Sequence, residues 1–386
     1  MNILFAVAND FQESTGSNAH VQEVVYELSE LGHNLFVFCF GIPANGFDTV
    51  IPYIALTKKG PRLLQKLWFY LWSVLYVPYL IRKLNIDIVY TRIHMRFFAP
   101  VLSAWLTGIP LITEVNGYIP EELDAFGSSR VTKMFSRCIE TLSYRRASRI
   151  VAVTEGIKRL LIRDYNLDPG KIVVIPNGVN DALFFPMNQD ERRSVLGISN
   201  EHIMVLFLGY LARWQGVETL IRSQAEISRF HPHAHTYIVG SGPEENNLHE
   251  LAAELGMNTW VHFIGPVPQA SAVDYINASD ICVAPFTKDR NSLIGLSPLK
   301  LYAYLACKRP VIASDIPGVG DFLRDSNGGI VIAPDDVGEL SQAIRTLIED
   351  QRIGERLAES GYKAVKEKHT WKKVAAHIDA LLNMVK

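Results

Sequence analysis

Ser297, Pro298, Leu299 and Lys300 have the order of a capped helix start with a cation in its first turn. A Ser hydroxyl can cap the helix and Pro suits its first position. The free backbone N–H groups and the Lys ammonium then make a place for a phosphate or sugar oxygen. The competing reading is a solvated Lys on a surface helix. Arg213 follows an apolar run at 203–208, and its planar guanidinium suits bidentate contact with a diphosphate, unless it is an ordinary surface Arg. Gly240 and Gly242, in VGSGPE, permit either close approach to a base or phosphate or a simple tight turn. Gly16, in NDFQESTGSNAHV, offers the same approach or belongs to a plain loop.

Other chemistries lack their residues. No GxGxxG follows the first apolar run and no GxxxxGK[ST] occurs, which weakens oxidoreductase and ATPase readings. Cys39, Cys138, Cys282 and Cys307 are far apart, without zinc or redox spacing, and read as thiols in a reducing cytoplasm. No metal cluster is visible. A net charge of −2 argues against nucleic-acid binding through the overall field.

These residues need elements to hold them. The 386 residues, 48% hydrophobic, suffice for two domains. Apolar runs at 2–8, 34–40, 86–91, 110–115, 149–154 and 171–175, mostly with helix-like stretches between them, predict one parallel sheet covered on both faces. After the turn cluster at 176–181 the alternation restarts, with strands at 203–208, 235–239, 259–264, 281–284, 311–314 and 329–332. The expected domains are 1–185 and 186–370, with ligands beyond the carboxyl ends of the strands.

The run LWFYLWSVLYVPYLI at 67–81 is shorter than the roughly 20 residues of a membrane span and contains Pro78. Lys58, Lys59, Arg62 and Lys66 precede it and Arg82 and Lys83 follow. It is either an interfacial helix on anionic lipid or a core helix with solvated ends. The N-terminus lacks a basic n-region and reads as a buried strand. The expected location is cytoplasmic, peripheral on the inner face of the plasma membrane if the interfacial reading holds.

Eight segments carry a resemblance: IVYTR (88–92), ITEVNGYIPEE (112–122), IVAVTEGIKRLL (150–161), KIVVIPNGV (171–179), GYLARWQGVETLI (209–221), VGSGPE (239–244), FIGPVP (263–268) and SPLKLYAYLACKRPVIASDIPGV (297–319). In this order they resemble retaining GT-B glycosyltransferases of the family-four group, the glycosyl transferases group 1, over nearly the whole chain. The resemblance implies an α/β fold with two Rossmann-like parallel-sheet domains facing a cleft. The first domain takes the acceptor, the second the nucleotide sugar, and a final helix at 371–386 crosses back to the first. It further implies transfer, with retention, from a UDP- or GDP-sugar to a hydroxyl of a glycan or lipid-linked acceptor in bacterial surface polysaccharide synthesis, without metal, cofactor or protein nucleophile. Arg213, Gln215, Gly216, Gly240, Gly242, Ser297, Pro298, Leu299, Lys300 and Ala303 would line the donor site, with the Val267 backbone on the base edge.

The departures are specific. Tyr210 and Gln215 stand where relatives carry basic residues. Gly295 and Ala303 replace a pair of glutamates, the second of which binds ribose hydroxyls; position 303 is expected to project beside Lys300 into the donor site. Asn116 replaces a His, so it can orient a hydroxyl but not act as base; Glu114, Glu121 and Glu122 are acceptor candidates or solvated loop acids. His20 reads as an ordinary partly buried His. Tyr210, Gln215 and Ala303 together leave open a nucleotide-sugar-binding subunit without catalysis, or an engineered inactivating change at 303.

Overall fold

The structure, a computed structural model, describes residues 1–12, 15–42, 51–56, 60–94, 96–125, 127 and 129–385, without the side chains of 122, 124 and 125. The chain divides into two compact units: Met1–Pro176 with Trp371–Lys386, and Asn177–Thr370.

In the first unit the strands are β1 (Asn2–Ala6), β2 (Asn34–Cys39), β3 (Tyr53–Ala55), β4 (Ile88–Arg92), β5 (Leu111–Val115), β6 (Arg149–Ala152) and β7 (Ile172–Val174). They form one parallel sheet in the order β3-β2-β1-β4-β5-β6-β7. Its helices are α1 (Gly16–Glu30), α2 (Arg62–Lys83), α3 (Ala99–Thr107), α4 (Ile119–Ala125), α5 (Arg130–Arg146), α6 (Glu155–Tyr165) and, from the far end of the chain, α16 (Trp371–Val385). Every residue of β5 is buried, as expected of a parallel strand covered on both faces. The sixth strand is shorter than the apolar run at 149–154 suggested, because Thr154 turns out of the sheet and caps α6, its hydroxyl accepting from the Ile157 amide at 3.1 Å.

The second unit repeats the plan with α7 (Gln189–Leu196), β8 (Ile203–Leu208), α8 (Val217–Ile227), β9 (Ala234–Val239), α9 (Glu245–Glu254), β10 (Val261–Gly265), α10 (Gln269–Ala278), β11 (Ile281–Ala284), α11 (Asn291–Ile294), α12 (Leu299–Ala306), β12 (Val311–Ser314), α13 (Gly320–Ser326), β13 (Ile330–Ile332), α14 (Val337–Glu349) and α15 (Gln351–Lys368). Its parallel sheet runs β10-β9-β8-β11-β12-β13. The units divide after Pro176 rather than near 185. Val179 and Phe184 are buried in the second core, and Asn177 is hydrogen-bonded to Ser297.

Helix α2 has two apolar faces. Phe69, Ser73, Val77, Leu80 and Ile81, at helical spacing, are buried, and the apolar ones pack in a core with Phe38, Val89 and Phe97. Leu63, Leu67, Leu71, Leu75 and Tyr79, four apart on another face, are exposed, Leu71 by 73%. The interfacial and core readings therefore describe different sides of one helix. Among the described residues no helix is long and apolar enough to cross a membrane. Lys58 and Lys59 lie outside the described residues.

The last helix, α16, packs on α1 and buries Trp371, Val374, Ala375, Ile378, Leu381 and Leu382. Its Asp379 Oδ1 lies 2.7 Å from His33 Nε2, and the Trp371 ring meets the His20 ring edge-on at 4.9 Å. Each buried Val, Leu or Ile is worth about 1.5–3 kcal/mol, so deleting 371–386 removes much of the margin of a typical domain, about 5–15 kcal/mol. The first unit of the deletion variant should unfold at clearly lower temperature in calorimetry. An unchanged transition would mean that this contact contributes nothing.

Candidate functional site

In the second unit, residues from the segments that follow β8, β9 and β11 gather beyond the carboxyl ends of these strands. The chain leaves β8 at Leu208, whose N–H donates to the Tyr304 hydroxyl at 2.8 Å, and turns through Gly209 at φ 145°. A Cβ on Gly209 would stand 2.8 Å from Lys300 Nζ, so the glycine leaves the space that the ammonium fills. Lys300, in the first turn of α12, donates to Gln215 Oε1 at 2.6 Å. Its Nζ lies 3.8 Å from the Phe207 ring centroid and 5.5 Å from that of Phe286. Among the described residues it has no carboxylate partner, and desolvation pulls its pKa well below that of an ordinary Lys. A half-buried cation held by one amide oxygen and two ring faces lacks a counter-charge, which an anionic ligand would provide.

The end of α12 beside it is open. Ser297 does not cap the helix as expected: the cap residue is Pro298, with no side-chain cap, and the helix starts at Leu299. The Ser297 hydroxyl instead accepts from the Asn177 amide at 2.8 Å and lies 3.1 Å from the Tyr302 hydroxyl. With the hydroxyl drawn away, no side chain caps the first backbone N–H groups of α12, which lie at the positive end of the helix.

The glycines serve the protein's own backbone. At Gly216 (φ 70°) a Cβ would lie 1.7 Å from the Pro285 carbonyl oxygen, and at Gly240 (φ 140°) 1.9 Å from that of Gly209. Gly242 meets Leu211 in the same way, at 2.4 Å. These contacts draw together the loops after β8, β9 and β11. Asn291, fully buried, ties the same loops by donating to the Trp214 and Thr287 carbonyls, each at 2.9 Å.

In the first unit the centre is Glu114, near the carboxyl end of β5 and 2% exposed. Its oxygens lie 2.8 Å from His20 Nε2, 3.2 Å from Arg92 Nε and 2.5 Å from the Tyr90 hydroxyl, and Asn116 Nδ2 donates to it. Desolvation alone would raise its pKa, but the charge and hydrogen bond of His20, then Arg92 and Tyr90, hold it well below the usual carboxylate range. Arg92 also donates to the Ser17 carbonyl at 2.9 Å and hydroxyl at 2.7 Å, fastening the start of α1 to β4.

One family model, Glycosyltransferase Family 4, matches residues 14–183, and a second, Glycosyl transferases group 1, matches 188–364. The chain belongs to the family-four, group 1 glycosyltransferases. It is 27% identical to D-inositol 3-phosphate glycosyltransferase 2 of Catenulispora acidiphila over 74% of this chain and 69% of that protein. Other relatives of that description are matched over 66% and 55% of their lengths. The fold is GT-B, like that of sucrose-phosphate synthase from Thermosynechococcus elongatus (TM-score 0.80, 20% identity, 99% and 98% of the chains covered). It is equally like that of Anabaena HepE in complex with UDP-glucose (TM-score 0.79, 20% identity, both chains covered in full).

The remaining expected residues of this glycosyltransferase are scattered. Arg213 is exposed at the start of a 3₁₀ turn and lines a groove with Glu218, Glu244 and Asn247. Val267 is half-buried against the second core. Ala303, three residues after Lys300, does not project beside it: the side chain is 5% exposed and packed in the core, on the inner side of α12. Gly16 is the exposed first residue of α1, behind the Thr15 cap. Glu114 is too enclosed to serve as a free acceptor ligand and instead holds Asn116, whose amide oxygen remains able to accept. Glu121 is half-buried on α4; the Glu122 side chain lies outside the described residues. His20, Tyr90 and Arg92 were missed as a set.

Proposed function

We propose that the protein transfers a glycosyl unit, with retention, from a UDP- or GDP-sugar to a hydroxyl of a glycan or lipid-linked acceptor in bacterial surface polysaccharide synthesis. The observation that carries this is Lys300, a half-buried cation without a carboxylate partner among the described residues, beside the uncapped amino end of α12. A departing nucleoside diphosphate provides the missing negative charge, and fixed donors aimed at charge that grows in the transition state lower the barrier. HepE, of the same fold, holds UDP-glucose. In the first unit Asn116 is the residue that can orient an acceptor hydroxyl. The leaving diphosphate takes the acceptor's proton on the same face as bond breaking, which gives retention without a protein nucleophile. Calorimetric titration with UDP and GDP tests the donor class: one should bind at one site per chain, and absence of binding by both would remove the proposal.

Ala303, Gln215 and Tyr210 motivate a second reading, a subunit that binds nucleotide sugar without transferring it. Binding without turnover in the presence of acceptor would favour that reading.

The exposed apolar face of α2, with Lys66, Arg82 and Lys83 exposed around it, supports peripheral attachment to the cytoplasmic face of a membrane, where a lipid-linked acceptor resides. Each Lys or Arg near an anionic surface is worth about 1 kcal/mol. Replacing these three by Gln should weaken co-sedimentation with phosphatidylglycerol-containing vesicles by about fivefold per charge. Equal co-sedimentation of both proteins would remove the attachment.

A further inference from the structure

We propose that His202, His235 and His262 form a three-imidazole site for a divalent transition-metal ion of the Zn²⁺ type, at the amino-terminal end of the second sheet. Their spacing in the chain, 33 and 27 residues, has no metal signature; the sheet brings them together. His202 immediately precedes β8, His235 is the second residue of β9 and His262 the second of β10, on neighbouring parallel strands. One ring nitrogen from each lies within 4.8 Å of the others. His235 Nδ1 and His262 Nε2 are 3.0 Å apart, and the His202 ring stacks on His235 with centroids 3.7 Å apart.

Zinc–imidazole bonds of about 2.0–2.1 Å place the nitrogens of a tetrahedral centre roughly 3.4 Å apart. The His235–His262 pair is near that separation already, and His202, whose ring stacks at 11° on His235, turns to aim its nitrogen at the same point. The outer contacts suit ligation as well. The Tyr237 hydroxyl lies 2.9 Å from His202 Nδ1, which orients the ring and leaves Nε2 for an ion, and the Tyr237 ring stacks on His262 at 4.5 Å. His235 is 8% exposed whereas His202 and His262 are half-buried, so a fourth position is open to water. Three nitrogens without a carboxylate select Zn²⁺, Co²⁺, Ni²⁺ or Cu²⁺ over Mg²⁺ or Ca²⁺.

The cluster sits at the opposite end of the strands from Lys300. An ion there pins β8, β9 and β10 together and does not reach the transferred sugar.

The test uses the full chain, stripped with a chelator and titrated with Zn²⁺ by calorimetry and with Co²⁺ by visible absorption. One Zn²⁺ should bind per chain, Co²⁺ should give the intense visible bands of a four-coordinate centre, and Zn²⁺ but not Mg²⁺ should raise the melting temperature. His262→Gln should abolish the Co²⁺ bands. Tyr237→Phe, which retains all three imidazoles, should weaken Zn²⁺ by about tenfold or more. If His262→Gln fails to fold by circular dichroism, His202→Gln, at another half-buried position, takes its place. Zn²⁺ binding that is absent, or unchanged by these His substitutions, overturns the proposal.

Discussion

Replacing Lys300 by Met will weaken UDP or GDP binding by at least tenfold, and up to about a hundredfold, while the ligand-free protein stays as stable as the wild type or gains stability. A hydrogen bond to a charged group is worth about 1.5–3 kcal/mol, and about 1.4 kcal/mol is a factor of ten. The stability half follows from the direction of the pKa shift. The ammonium is desolvated without a carboxylate partner, so its folded-state pKa lies well below its unfolded value. Between those values the unfolded chain binds more protons than the folded one, and stability rises with pH across that interval. Met has a similar unbranched length and no charge to desolvate, so it removes this slope. Calorimetric titration gives the affinity, and thermal unfolding between neutral and alkaline pH gives the slope. Affinity unchanged by Lys300→Met would mean that Lys300 does not contact phosphate.

Glu114→Gln should be the most damaging single change in the first unit, costing about 3–5 kcal/mol. Removing one partner of a buried ion pair leaves the other charge uncompensated, and here His20 and Arg92 both face the lost carboxylate. The dependence on acid has a definite sign. The folded-state pKa of Glu114 is depressed, so its contribution is fully present above the ordinary value of 4.5 and is lost as pH falls from there towards the folded value. Wild type should therefore lose stability on acidification below about pH 5 more steeply than the Gln variant, the two converging in acid. Urea unfolding of both proteins at pH 7 and pH 4 checks the prediction. Equal stability at pH 7 would show that the charge of Glu114 is not what holds β4, β5 and α1 together.

The alternation of apolar runs and helix-like stretches made both sheets legible, because a parallel strand buried on two faces is written as a continuous apolar run. Lys300 was legible too, since its position in SPLK placed it in the first turn of a helix. Its surroundings were not. Ser297 has the residue type of a cap, but only the folded chain brings Asn177 close enough to compete for its hydroxyl. Gly216 and Gly240 are needed where the sequence marks glycine, yet their neighbours Pro285 and Gly209 lie 69 and 31 residues away, and contact with protein looks the same in sequence as contact with ligand.

The Glu114 cluster was hidden for a similar reason. His20 comes from α1, Arg92 from β4 and Glu114 from β5; the pairing of Arg92 with Glu114 across the sheet and the packing of α1 against both unite them. The apolar run at 67–81 predicted a helix but could not reveal that it has enough apolar surface both to enter the core and to leave a second face exposed. Ala303 shows the limit of counting along a helix: three positions past Lys300 is near in angle, but on this short, deeply packed helix it is already inside.

The central claim is tested most directly by following the reaction of the wild-type protein with UDP- and GDP-sugars and a lipid-linked glycan acceptor by NMR. Acceptor-dependent release of UDP or GDP is expected, with a product that keeps the donor's anomeric configuration, and Lys300→Met should lose the activity. A nucleotide sugar that binds but is never consumed, or a product of inverted configuration, would contradict the account.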